Sequence, residues 1–253
     1  MPIIAKRLKQ FRTKSFKRTL RAIPFFFTFA NALLGFLSII KSAEGDFITA
    51  AYCIMLAVLM DALDGRLARA FGCSSSLGME LDSLCDAISF CLAPAILVYN
   101  WYFAVLAWVG PIVVAAYVCA GLFRLARFNC TGHEQVHYFQ GIATPVAALL
   151  LVSLVLYEPW FDASVFASLL HPTPMVIFLA TVAYLMISPL RFASFKKIYR
   201  TRIQRCLMVF IASAVIAHAL LYGYPLLFLV LVLYVVIGIV TTIVQVVREV
   251  VVE

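Results

Sequence analysis

Residues 61 to 86 read Asp61-Ala-Leu-Asp64-Gly65-Arg66-Leu-Ala68-Arg69-Ala-Phe-Gly-Cys-Ser-Ser75-Ser-Leu-Gly78-Met-Glu80-Leu-Asp82-Ser-Leu-Cys-Asp86. They hold five of the twelve acidic residues of a 253-residue chain that is 64% hydrophobic and 13% charged. Carboxylates within or beside a membrane segment are costly, and where they occur they usually face a bundle interior and serve a function. The stretch is therefore the candidate active site.

Outside it, the composition is that of a membrane protein. Mean hydropathy is +1.02, and so few polar residues cannot cover a water-soluble globule of this size. Apolar runs long enough to span ~30 Å of hydrocarbon fall at 23–42, 47–69, 83–100, 104–124, 142–158, 174–190, 206–222 and 225–246. The expectation is an all-α polytopic membrane bundle of about eight transmembrane helices occupying residues 22–253.

The net charge of +8 is placed as a membrane surface requires, not as a nucleic-acid site does. Eight basic residues lie in positions 1–21 with no acid, interleaved with Ile4, Leu8, Phe11 and Leu20 at helical spacing. That pattern predicts a basic amphipathic helix lying on anionic membrane lipids. The basic region is too long for the start of a signal peptide, and no small-residue cleavage site follows. Threading eight spans from a cytoplasmic N-terminus puts nineteen of the twenty basic residues inside, with Lys41 the exception. The expected location is the cell membrane, multi-pass, with residues 61–86 facing the cytoplasm.

On a helix, Asp61 and Asp64 lie about 60° apart, and Gly78, Asp82 and Asp86 share a face at i, i+4, i+8. Glu80 points elsewhere. Two helix ends joined by a short Gly/Ser loop thus present four carboxylates toward each other. Such a cluster calls for divalent metal, and an all-oxygen donor set favours Mg²⁺, Mn²⁺ or Ca²⁺ over zinc. Two such ions suit displacement at a diphosphate. A proton relay in a cation-coupled transporter would use acids in the same setting.

Asp61, Asp64, Gly65, Ala68, Arg69, Gly78, Asp82 and Asp86 fill the pattern DxxDGxxARx8GxxxDxxxD, which resembles the signature of the CDP-alcohol phosphatidyltransferases. The resemblance implies that Asp61, Asp64 and Asp82 bind a pair of Mg²⁺ or Mn²⁺ ions. Asp86 would share in metal binding and act as general base. Gly65, Arg69, Ser75 and Gly78 would line the CDP site.

The segments 80–95, 121–129 and 139–148, with Thr28 and Asn31 in the first span, resemble the serine-using, integral-membrane branch of that family. This implies phosphatidyl transfer from CDP-diacylglycerol to L-serine with release of CMP, by a homodimer. A sister enzyme taking glycerol 3-phosphate or inositol is the alternative. Ala143 departs from the family pattern, standing where a backbone-kinking proline is usual.

Arg124 and Arg127, at i, i+3 on a cytoplasmic helix end with Asn129, suit a serine carboxylate or lipid phosphates. Snorkelling to headgroups is the simpler use of such arginines. His133 and His137 flank Glu134 without the order of a zinc helix, and His218 reads as a core histidine. The seven cysteines are scattered without CxxC and read as small hydrophobes.

Overall fold

The computed structural model describes residues 25–71, 75–131, 138–157, 171–193 and 226–252. The N-terminal amphipathic helix, the span expected at 206–222, the His133/Glu134/His137 group and His218 lie outside the described residues.

Helix α1 (Phe25–Ala43) turns at Gly45, whose φ of 81° is open to glycine without strain. Asp46 then caps α2 (Phe47–Phe71), accepting the Thr49 amide at 3.2 Å. A longer helix follows in three parts: α3 (Ser76–Asp86), a π-helical turn (Ala87–Leu92) and α4 (Ala93–Trp101). After a short 3₁₀ turn (Phe103–Val105) come α5 (Val109–Thr131), α6 (Thr144–Tyr157), α7 (Pro172–Ile187) and α8 (Leu226–Val252).

Among the described residues, four helices are long and apolar enough to cross a membrane: α1, α2, the continuous Ser76–Trp101 helix, and α5. Helix α1 shows the logic of that environment. Phe26, Phe29, Leu33, Phe36, Leu37 and Ile40 are exposed along one face, while Thr28, Asn31, Ser38 and Ser42 are buried on the other. A soluble amphipathic helix has the opposite arrangement. In lipid the apolar side faces outward and polar side chains hold helices together.

Contacts at both ends of α1 follow this rule. Asn31 meets Asp86 and Ser89, while Ser42 Oγ donates to the Ile96 carbonyl at 3.3 Å and accepts from Asn100 at 3.1 Å. Partners that rise together in number make α1 parallel to the Ser76–Trp101 helix.

Helix α6 is the hub. It is buried on nearly every side, from Thr144 through Leu156, and packs against α2, α4, α5, α7 and α8. A helix apolar all round requires such enclosure. Apolar burial itself supplies little drive within lipid, so close approach of small residues matters more. Ala50, Ala51 and Ala57 on α2 and Ala147 and Ala148 on α6 are wholly buried. Gly121 lets α5 lie directly on Cys91 of the π turn, and Tyr117 donates its hydroxyl to the Phe90 carbonyl at 2.9 Å.

Several boundaries differ from those read from hydropathy. The third helix begins at Ser76, so Gly78 and Asp82 are helical and lie before the apolar stretch. The fourth runs from Val109 to Thr131, carrying Arg124, Arg127 and Asn129 inside its last turns. The fourth apolar run ends at its first charge, Arg124, whereas backbone hydrogen bonding continues wherever the side chain finds partners. A short antiparallel pairing of β1 (Tyr138–Gln140) with β2 (Arg191–Ala193), in the register Phe139 opposite Phe192, was not anticipated. Gly141, at φ 75°, turns from β1 into α6, donating its amide to the Leu190 carbonyl at 3.0 Å. The turn needs no proline at Ala143.

Candidate active site

Asp61 and Asp64 sit one turn apart on α2, and Asp82 projects from the second turn of α3. One carboxylate oxygen from each lies within 4.8 Å of the others. Asp64 is buried, and Asp61 and Asp82 are half-buried. Two unit charges at that distance repel by about 3.5 kcal/mol at an effective dielectric near 20. Three such pairs approach the whole stability of a typical domain. The trio could therefore hold a cation, and its all-oxygen donor set fits a hard divalent metal.

Asp86 is not part of that trio. Its Oδ1 accepts a hydrogen bond from Asn31 Nδ2 at 3.2 Å, while the carboxylates of Asp61, Asp82 and Asp64 act on it electrostatically. The four aspartates thus divide three to one. Thr28 is buried on α1 one turn before Asn31.

Ser75 and Gly78 form the N-terminus of α3. The Ser75 hydroxyl accepts the Gly78 amide at 3.1 Å, and a Cβ on Gly78 would come within 3.2 Å of that same hydroxyl. This is an N-cap that closes one orphan donor of the helix. Gly65 is half-buried beside Asp64 on α2. Arg69 belongs to α2, but its side chain lies outside the described set.

The arginines of α5 separate in role. Arg127 donates to the carbonyls of Ile187 at 3.0 Å and Met186 at 3.5 Å, covering the C-terminus of α7. A guanidinium there satisfies the last carbonyls and the negative end of the helix dipole. Arg124 instead donates to Thr144 Oγ1 at 3.2 Å, and its Nε is buried without a hydrogen-bond acceptor. It is close enough to Asp86 and to Tyr234 of α8 to interact with both electrostatically. Asn129 ties α5 to α3, accepting from Ser83 at 3.0 Å and donating to Glu80 at 3.2 Å.

Sequence reading missed Ser83, Ser89, Thr144 and the partner of Glu80. Ser83 and Ser89 were within view, since a hydroxyl in an apolar helix must find an acceptor. Which acceptor it finds depends on residues 46 and 58 positions away.

Comparison with known proteins matches residues 21–187 to the CDP-alcohol phosphatidyltransferase family model. A CDP-diacylglycerol–serine O-phosphatidyltransferase of Helicobacter pylori (strain ATCC 700392 / 26695) is 34% identical over 176 residues, 69% of this chain and 73% of the relative. An archaetidylserine synthase of Methanothermobacter thermautotrophicus is 37% identical over 171 residues, 64% of this chain and 69% of the relative. The Bacillus subtilis CDP-diacylglycerol–serine O-phosphatidyltransferase is 29% identical over 175 residues, 69% of this chain and 92% of the relative.

Proposed function

The chain belongs to the CDP-alcohol phosphatidyltransferase family, and from that premise we propose that it transfers the phosphatidyl group of CDP-diacylglycerol to the hydroxyl of L-serine. The products are phosphatidylserine and CMP. The observation that carries this reading is the convergence of Asp61, Asp64 and Asp82 next to an Asp86 held on a separate mount.

In this reading Asp61, Asp64 and Asp82, with Asp86 at their margin, would hold two Mg²⁺ or Mn²⁺ ions. Bound there, such ions supply charge neutralisation of the diphosphate and of the leaving phosphate. Asp86 accepts the proton of the serine hydroxyl as its oxygen bonds to the lipid-bearing phosphorus. The bond from that phosphorus to the bridging oxygen breaks, and CMP leaves with the electron pair. A base in this role needs hydrogen-bond reach to the hydroxyl, and nothing covalent on the enzyme.

Arg124 is the group suited to the serine carboxylate. Its buried Nε lacks an acceptor, and Thr144 steadies one arm of the fork. Arg127 is occupied at the end of α7 and supports the site from behind. Gly65, Arg69, Ser75 and Gly78 border the CDP moiety, with Thr28, Asn31 and Asn129 around it.

The same reading has an eight-span chain with a cytoplasmic N-terminus, an interfacial helix over residues 1–21 and a homodimeric assembly in the cell membrane. Serine then arrives from water while the lipid tails stay in the bilayer. The test is CMP formation by purified protein with CDP-diacylglycerol and labelled serine, inositol or glycerol 3-phosphate side by side, in Mg²⁺ and Mn²⁺ separately. Turnover with serine alone is expected. Equal or faster turnover with inositol or glycerol 3-phosphate would reassign the acceptor, and metal-dependent CMP release without a membrane gradient would exclude a transporter as the main function.

A further inference from the structure

Asp86 closes α3 at the point where the helix widens into the π turn, and α1 crosses it there. The crossing is unusually close. A Cβ on Gly35 would fall 2.8 Å from Ser89 Cα, so only glycine permits it. One turn earlier on α1, Asn31 is wholly buried and faces both residues. Its backbone carbonyl accepts the Ser89 hydroxyl at 2.9 Å, and its side-chain Nδ2 donates to Asp86 Oδ1 at 3.2 Å. Because an ionised carboxylate only accepts, the amide must turn its NH₂ group to Asp86.

That orientation has a cost. Asn31 Oδ1 is left buried with no hydrogen-bond donor. A buried amide oxygen without a donor destabilises a fold, and the one hydrogen bond this side chain makes goes to a carboxylate of the acidic cluster. The side chain is thus poorly explained by stability and well explained by what it does to Asp86. The π turn adds to this, since such turns recur where a helix must re-aim side chains at a functional site.

We propose that Asn31 is the positioning residue for Asp86: its Nδ2 fixes one carboxylate oxygen so that the other faces the acceptor hydroxyl, and Ser89 with Gly35 fixes Asn31. This rests on Asp86 as the base in the reaction above. It replaces contact with substrate as the chief task of Asn31. A base displaced by an ångström loses about 100-fold in rate even when both substrates still bind.

The experiment compares Asn31→Leu, Ser89→Ala and Asp86→Asn with the unaltered full-length chain in detergent. Readouts are kcat and KM for CDP-diacylglycerol, the Mn²⁺ dissociation constant and the melting temperature. Asn31→Leu should lower kcat about 100-fold, with KM and Mn²⁺ affinity within about two-fold and a melting temperature that falls by a few degrees at most and stays well above the assay temperature. Ser89→Ala should lower kcat about five-fold in the same pattern. Asn31→Leu in the Asp86→Asn background should cost nothing more.

A raised KM for CDP-diacylglycerol with kcat intact would make Asn31 a substrate contact and overturn the proposal. A lowered melting temperature that accounts for the lost activity would make it structural, with the same consequence. If Asn31→Leu does not fold, a Ser89→Ala variant of undiminished kcat overturns the proposal by itself. Full turnover in Asp86→Asn would instead remove the base on which the inference stands, so the two failures are separable.

Discussion

Replacing Asp64 by Asn should stabilise the protein in chelator and remove its response to metal. Asp64 is the buried member of the trio, and its oxygen lies within 4.8 Å of two others. At about 3.5 kcal/mol per pair, the substitution relieves at most about 7 kcal/mol of repulsion. Proton uptake and solvent relax much of that in the metal-free protein, leaving a gain of about 1–2 kcal/mol. For a chain of this size this raises the melting temperature by about 2–8 °C. The unaltered protein should behave in the opposite way with metal. Mn²⁺ at 100 times its dissociation constant adds about 2.7 kcal/mol, or about 5–10 °C. Differential scanning fluorimetry in detergent, with EDTA and then with Mn²⁺, reads both effects. The order expected is Asp64→Asn above unaltered protein in EDTA, and the reverse in Mn²⁺, with phosphatidyl transfer lost in the variant. Equal metal shifts in the two proteins would refute the trio as the metal site. A variant that melts lower in EDTA would refute the repulsion argument.

The other contacts give sharper contrasts. Arg124→Ala should raise KM for serine at least about 30-fold while leaving KM for CDP-diacylglycerol nearly unchanged, the loss expected for a charge-assisted carboxylate contact. Arg127→Ala should leave both constants nearly unchanged and lower stability by about 1–2 kcal/mol, because the carbonyls of Met186 and Ile187 lose their donor; a large serine KM effect there would return Arg127 to the substrate. Gly141→Ala forces a side chain into φ 75° against the carbonyls of Leu185 and Met186, and should cost about 1–3 kcal/mol in melting measurements.

What could be read beforehand is what repeats along one helix. The spacing of Asp61, Asp64, Asp82 and Asp86 is a local property, and it singled out the three carboxylates that the fold brings together. The length of the apolar runs likewise located α1, α2, α6 and α7 to within a few residues. Glu80 was set aside from the carboxylate cluster by helical phase alone, and it faces Asn129. The division of the four carboxylates was not legible, because it is made by Asn31, 55 positions from Asp86. Nor could spacing separate Arg124 from Arg127. Both lie on one face of α5, and their roles diverge only because one meets Thr144 at the start of α6 and the other meets the end of α7.

The reading of α1 follows the same physics and explains why its polar residues looked incidental. Thr28, Asn31, Ser38 and Ser42 were scattered among fourteen apolar neighbours and suggested only a resemblance at two positions. Their common face emerges once the helix is placed, with every one of them turned inward. In a bilayer an inward hydroxyl or amide has no water to fall back on, so a partner on another helix is its main resort, although Ser38 Oγ is buried without one among the described residues. Ser42 is matched by Asn100 and Ile96 far from the carboxylates, where it can only join helices. Asn31 is matched by Asp86 alone through its amide, with its oxygen left over. It is the carboxylate partner of Asn31, set against the backbone and amide partners of Ser42, that motivates reading one end of α1 as positioning and the other as architecture.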